Sequence, residues 1–365
     1  MKKTNFGVFG EERKYMMTQG YRSTTLNVYL GHIKENLKYL MEHFPFPTYM
    51  CAVKADSYGL WGAEVLSAMT EAGCAYFCVV SVEEALEIRK FFPDKAILIM
   101  TPQPVESYPL LLEKKIEVTI CTVEEARIIP RGLKVHIRVQ GGTEFFPCPK
   151  TQDEFDEIYK TVVERGGVVQ GAFCHFFNSG KKERTQQELE NFEKIIGNQS
   201  ENIPLIHIGG SAMGIDYKKP HFVTGYRVGN AMLGLENPEL PLKTTYVLRS
   251  KISYLKKVKK GEGVGYSDAF VAEQDRTIGV VPIGFGDGFV RRNKGSFVYI
   301  KDKAYPIVFV AMDYIALEVD ENILAGDEVL LIRDADHAEK IAEHIGGVAE
   351  ESLATLAKRI QRIYE

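Results

Sequence analysis

From Met50 to about Leu240 the chain alternates short apolar runs with stretches of helical spacing, and no other feature limits its fold so strongly. Ala96–Thr101, Ile116–Cys121 and Val135–Val139 are strand-like runs, followed in turn by the helical patterns Glu106–Lys114, Val123–Ile129 and Gln152–Arg165. A run that is apolar without alternation belongs to a strand covered on both faces, and strand-then-helix repetition builds parallel βαβ units. Counted from the strand Met50–Val53 and closed by Tyr226–Met232, there are about eight units, which predicts a (β/α)8 barrel of the TIM type. A polar leader, a strand-like Thr25–Leu30 and an amphipathic Gly31–Phe44 precede the first unit and are grouped with it in a domain over 1–241.

The pattern changes after Asn237-Pro238-Glu239-Leu240-Pro241, where two prolines mark a linker. Tyr246–Val258, Phe270–Val281, Ser296–Ile300, Ala304–Val310, Ile315–Val319 and Glu328–Ile332 read as strands between Gly, Asp and Lys turns. A helical His337–Ile345 and a final Glu351–Tyr364 complete a mostly-β C-terminal domain over 242–365.

Composition narrows the partners. A net charge of −4 and a pI near 6.1 give no electrostatic reason for nucleic acid or an anionic membrane. The first residues are charged and lack an apolar core of signal-peptide type, and no apolar run reaches membrane-spanning length. Cys51, Cys74, Cys78, Cys121, Cys148 and Cys174 fall largely within strand-like runs, where free cysteine acts as a small hydrophobe. The Cys74/Cys78 spacing has no second pair, so no metal site is expected, and a reducing cytoplasm is the simplest compartment.

Three stretches carry candidate chemistry. Ala52-Val53-Lys54-Ala55-Asp56-Ser57-Tyr58-Gly59 places a lysine where a buried strand meets a loop. Partial desolvation there would make its amine a usable nucleophile or proton carrier, although a strand-end lysine alone is as readily a solvated surface residue. His207-Ile208-Gly209-Gly210-Ser211-Ala212 and Arg227-Val228-Gly229-Asn230 end late barrel strands with the glycines and hydroxyl that phosphate recognition needs.

These stretches, in this order, resemble the alanine racemase family, whose lysine motif reads Ala-Val-Lys-Ala-Asn/Asp-Ala-Tyr-Gly. The resemblance implies pyridoxal 5'-phosphate as cofactor, bound through Lys54. It implies that Tyr58, Ser211 and the Gly229 and Asn230 backbone hold its phosphate, with Lys358 in place of a family tyrosine. Arg227, oriented by His207, would face the ring nitrogen; a guanidinium keeps its proton and leaves that nitrogen unprotonated. Racemisation needs proton-handling groups on both faces of one Cα. Lys54 would serve one face. Val264-Gly265-Tyr266-Ser267 matches the segment whose tyrosine comes from the neighbouring subunit, so Tyr266 would serve the other, with His175 as its partner. That implies a homodimer with shared sites. Ala311-Met312-Asp313 matches the segment whose methionine N–H meets the substrate carboxylate.

Departures from the family bear on substrate. Arg138-Val139-Gln140-Gly141-Gly142-Thr143-Glu144-Phe145 stands where relatives carry Lys-x-Asp-Thr-Gly-Met-Gly-Arg. The family arginine is replaced by Phe145, and Arg138 is expected to supply the positive charge from the strand instead. The entrance tyrosine is Phe285. The resulting expectation is interconversion of L- and D-alanine. Racemisation of serine, ornithine or lysine, a related decarboxylase of basic amino acids, and a non-catalytic cofactor-binding protein remain as alternatives.

Overall fold

A computed structural model of the chain describes residues 21–142, 145–176, 182–210, 219–235, 240–266 and 269–365. It divides into two compact units, Leu30–Thr245 and a second that joins Tyr246–Glu365 to the N-terminal residues through Tyr29.

In the first unit, eight parallel strands close into a barrel, as the alternation requires. With β1 as Thr25–Val28, the barrel strands in chain order are β2 (Thr48–Ala52), β3 (Tyr76–Val79), β4 (Ala96–Ile99) and β5 (Glu117–Ile120). They continue with β6 (Lys134–Arg138), β7 (Val168–Phe173), β8 (Leu205–Gly209) and β9 (Gly225–Val228). Met50, Cys78, Leu98 and Leu205 pack together with Tyr76 and Met100. All six cysteines are buried and none forms a disulfide, as suits small apolar side chains.

The helices begin through a repeated local device. Thr122 and Thr151 each accept a hydrogen bond from the N–H three residues on, and Glu125 and Glu154 reach back to the cap N–H. Ser81 caps Val82–Phe91 in the same manner, accepting from the Glu84 N–H at 3.2 Å. The helix Leu30–His43 precedes the first barrel strand and packs against both Ala63–Glu71 and the 3-10 turn Asn230–Leu233, covering the seam where β9 meets β2.

Two expectations are corrected. The leader strand is not part of the barrel: β1 pairs antiparallel with Tyr246–Lys251 and parallel with Gln361–Tyr364 in the second unit. Leu26 and Val28 are fully buried there, and a closed eight-stranded barrel has no free edge for another strand. The run Tyr226–Met232 is half strand only, since its apolar second half is the buried turn Asn230–Leu233; apolarity alone does not separate the two.

The second unit holds a nine-stranded sheet. Its spatial order is Tyr254–Val258, Arg276–Val281, Ile315–Val319, Lys303–Val310, Phe297–Ile300, Glu328–Ile332, Tyr246–Lys251, β1 and Gln361–Tyr364. A separate hairpin pairs Gly263–Val264 with Phe270–Val271. No described helix is long and apolar enough to cross a membrane.

Candidate active site

Barrel register brings the sequence motifs to one rim. Cys51 of β2 lies opposite Val228 of β9, so the chain leaving β2 at Lys54 meets the chain leaving β9 at Gly229. Gly209 lies opposite Arg227, Phe173 opposite His207, and Arg138 opposite Phe173. Lys54, Arg138, His207 and Arg227 therefore share the C-terminal half of one barrel, the end at which such barrels do chemistry.

The lysine turn is unusual in its backbone. Ala55, Asp56, Ser57 and Tyr58 all have φ between 51° and 58°, a left-handed turn built without glycine. Left-handed backbone costs roughly 1–2 kcal/mol per residue, so the surroundings must hold it. Ser57 N–H donates to Val53 O at 3.0 Å, Gly59 N–H to Ala55 O at 2.8 Å, and Trp61 N–H to Asp56 O at 2.8 Å. The Glu84 carboxylate accepts from Ala55 N–H at 2.7 Å and Val80 N–H at 2.9 Å. The glutamate that opens the Val82–Phe91 helix thus also fixes the residue after Lys54. The turn leaves Lys54 Nζ 5.9 Å from the Tyr58 ring centre. Lys54 is solvent-exposed, so the desolvation expected from its strand-end position is not present in this chain.

Tyr58 reaches across to the end of β9. A Cβ added to Gly229 would lie 2.7 Å from Tyr58 Oη, so only glycine lets the phenol approach the backbone there. Asn230 follows, buried. Ser211 lies outside the described residues.

Arg227 is 5% exposed and held on several sides. Its Nη1 donates to His207 Nδ1 at 2.7 Å, its Nη2 donates to Cys174 O at 2.8 Å, and its guanidinium lies 4.8 Å from the Phe173 ring centre. Burial, and after it the Arg227 guanidinium, push the His207 pKa well below the ordinary histidine value. A neutral ring is what an arginine donor requires of its acceptor. The expectation that His207 orients Arg227 corresponds to this contact.

Arg138, 8% exposed, donates to Met100 O at 3.2 Å, and its guanidinium lies 5.0 Å from the Phe146 ring centre and 5.7 Å from that of Phe173. Aromatic faces suit a weakly hydrated guanidinium. Phe145, at the position of the family arginine, is 89% exposed. His175 has its pKa lowered to about 4, by desolvation first and then by Arg227, Arg138 and Lys54. Because the ring is solvent-accessible, the three cations carry the argument better than desolvation does.

The remaining sequence candidates stand in the second unit. Tyr266 is 81% exposed, edge-on to Phe309 at 6.2 Å. Met312 is exposed, and its carbonyl accepts from Gly286 N–H at 2.9 Å. Asp313 accepts from Arg359 Nη2 at 3.1 Å. Lys358 is exposed. Sequence reasoning missed what anchors this group. Asp287, fully buried, takes both oxygens of its carboxylate to Arg22, at 2.6 and 3.0 Å, and one of them also to Arg359 Nε at 2.6 Å. Burial works to raise its pKa, but the Arg22, Gly284 and Arg359 hydrogen bonds outweigh it and hold the carboxyl below its usual range. Nothing local in the leader signals Arg22 as Asp287's partner. Glu84, Glu117 and His136 were likewise not singled out.

The residues present suit pyridoxal 5'-phosphate. An accessible amine, a phenol packed against a glycine-only stretch of backbone, and a buried, oriented guanidinium are the groups its aldehyde, phosphate and ring nitrogen call for.

Comparison with known proteins identifies the family. A family model described as alanine racemase, N-terminal domain, matches residues 28–237, and one for alanine racemase, C-terminal domain, matches 245–364. The chain is 30% identical over 366 residues to alanine racemase 1 of Bacillus subtilis, covering 94% of this chain and 93% of that protein. A solved alanine racemase from Bacillus anthracis with bound L-Ala-P superposes with a TM-score of 0.88 at 25% identity, covering 95% of this chain and 96% of that one. A histidine racemase from Leuconostoc mesenteroides shares the fold, with a TM-score of 0.84 at 21% identity over 96% of this chain and all (100%) of that one. With both domain models matched in order on a closed barrel and a C-terminal mostly-β unit, the chain belongs to the alanine racemase family.

Proposed function

We propose that this chain is a pyridoxal-phosphate-dependent amino-acid racemase that interconverts L- and D-alanine. The observation that carries the reading is the meeting of Lys54, Tyr58 and Gly229 at the barrel rim, with Arg227 locked by His207 beside them. The cofactor, when bound, supplies an electron-withdrawing ring that acidifies the Cα–H of an attached amino acid. Arg227, unable to release its proton, would leave the ring nitrogen of the bound group unprotonated, which would suit return of the proton to Cα. Tyr58, Ser211 and the Gly229 and Asn230 backbone would hold the phosphate, with Lys358 as a further cation for it.

Lys54 moves a proton on one face of Cα, and Tyr266 of the partner subunit moves one on the other. His175 would be the hydrogen-bond partner of that phenol, and its low pKa keeps it uncharged near neutrality. Arg138 and the Met312 N–H receive the substrate carboxylate, and Asp313 lines the same segment. The homodimer draws support from the second unit, which exposes Tyr254, Tyr266, Phe285, Met312 and Tyr314. We place the enzyme in the cytoplasm.

A second reading, racemisation of a larger side chain, is favoured by Phe145 in place of the loop arginine. The same fold in a histidine racemase means that architecture does not select the side chain. Chiral chromatography of L-amino acids incubated with cofactor-loaded protein, with CO₂ release followed in parallel, decides between them. D-alanine as the fastest-forming product is expected. Faster turnover of serine, ornithine or lysine moves the assignment to the second reading, CO₂ release to a decarboxylase, and no product to a binding protein.

A further inference from the structure

Arg227 is the last link of a buried chain that crosses the barrel interior. His207 Nε2 lies 2.8 Å from His136 Nδ1, and His136 Nε2 lies 2.8 Å from Glu117 Oε2. Glu117 opens β5 near the opposite end of the barrel and is 4% exposed, and both histidines are fully buried. Lys134, the first residue of β6, approaches the other oxygen of Glu117 at 3.4 Å.

The order of protons along this chain is dictated from its ends. A guanidinium only donates, so His207 Nδ1 must accept and His207 Nε2 must carry the hydrogen. That hydrogen requires a bare His136 Nδ1, and the His136 proton then sits on Nε2, facing a carboxylate that only accepts. Each link donates toward Glu117, both rings are neutral, and each ring has one tautomer. Burial works against an ionised Glu117, but the His136 hydrogen bond and the Lys134 ammonium outweigh it, and its pKa lies below the ordinary value.

The barrel is shaped around this chain. A Cβ on Gly171 of β7 would lie 2.3 Å from His136 Nδ1, and one on Gly209 of β8 would lie 2.6 Å from Arg227 Nη2. Phe173 stacks on the His207 ring at 4.8 Å.

We propose that Glu117 is a positioning residue for Arg227, acting through His136 and His207 by fixing the direction of every hydrogen bond between them. Its consequence for catalysis rests on the racemase reading; the proton order itself does not. Without the carboxylate, His136 loses the acceptor that holds its proton on Nε2 and can carry it on Nδ1 instead. His207 must then turn a proton toward the guanidinium, donor against donor, and Arg227 Nη1 loses the ring nitrogen that accepts from it.

Nitrogen-15 NMR of the histidine rings in the full chain, without and with pyridoxal 5'-phosphate, reads the tautomers directly. In the wild type, His136 and His207 are both expected as neutral Nε2–H rings. A protonated His207 Nδ1, or a doubly protonated His136, overturns the proposal. In Glu117→Ala an Nδ1–H population is expected in at least one ring, with kcat lower by about tenfold and KM little changed. Glu117→Gln, which keeps an acceptor oxygen but also offers a donor, should fall between, and it serves as the test if the alanine variant does not fold. Unchanged tautomers in the folded variant overturn the proposal. If the wild type racemises no amino acid, the functional reading fails while the ring spectra still decide the proton order.

Discussion

The two units handle charge in opposite ways. In the barrel, Glu117, His136, Arg138, His207 and Arg227 are each less than a tenth exposed, and four of them form one hydrogen-bonded chain. In the second unit the residues proposed to meet substrate lie outside: Tyr266 is 81% exposed and Met312 56%. Its buried Asp287 serves as an anchor, tied to Arg22 and Arg359 from the two ends of the chain. Buried polar groups are orientable only when every partner is supplied by the fold. The barrel supplies its own. An exposed phenol is oriented by whatever it meets, and the functional reading gives that role to a second copy of the chain.

The sharpest way to break this comparison is to disable one unit at a time. Lys54→Ala should lower racemisation by a thousandfold or more, and Tyr266→Phe by roughly a hundredfold to ten-thousandfold, measured by chiral chromatography. Mixing the two inactive variants with subunit exchange should restore about a quarter of wild-type activity, since half the dimers would be mixed and each would hold one intact site. No recovery would mean that Tyr266 does not act across subunits, and the contrast between the units would lose its functional sense.

A smaller effect sharpens the barrel side. Arg138→Met should reduce kcat/KM by about ten- to a hundredfold through the substrate carboxylate. Unchanged kcat/KM would reject Arg138 as the replacement for the arginine lost at Phe145. On the other side, Arg22→Ala leaves the buried Asp287 with a single half-exposed cation and should destabilise the chain by about 2–3 kcal/mol in urea titrations. Arg359→Ala removes the less buried partner and should cost clearly less.

The smallest expected effect is a pH dependence. The folded His175 pKa, about 4, lies below the unfolded value near 6.5, so between these pH values the unfolded chain binds the extra proton. Stability therefore falls as pH drops from 6.5 to about 4 and changes no further on this account below that. Solvent access to the ring screens the effect to on the order of 1 kcal/mol. His175→Gln should flatten this part of the Tm–pH curve, and an unchanged slope would remove His175 from the cation cluster.

Much of the fold was readable because it is written locally. Short apolar runs followed by Ser/Thr-x-x-Glu caps, as at Ser81, Thr122 and Thr151, mark strand and helix without reference to distant residues. Lys54 and Arg227 were readable for the same reason, each standing inside a short motif. The left-handed turn at Ala55–Tyr58 was not, because its residue types favour no such backbone and it depends on Glu84. The membership of Thr25–Val28 was not, because any sheet with an open edge would satisfy its pattern.

Residue chemistry alone determined that a lysine, a tyrosine and an arginine were available at the ends of barrel strands, and that a β unit would follow. Only the folded chain decided which groups act on which. Glu117 and Arg227 are more than a hundred residues apart and touch through two histidines because strand order in a closed barrel brings β5, β6, β8 and β9 around one interior. Periodicity reports which face a side chain takes; partnership across a barrel depends on register and closure, and those are set by the whole ring of strands at once.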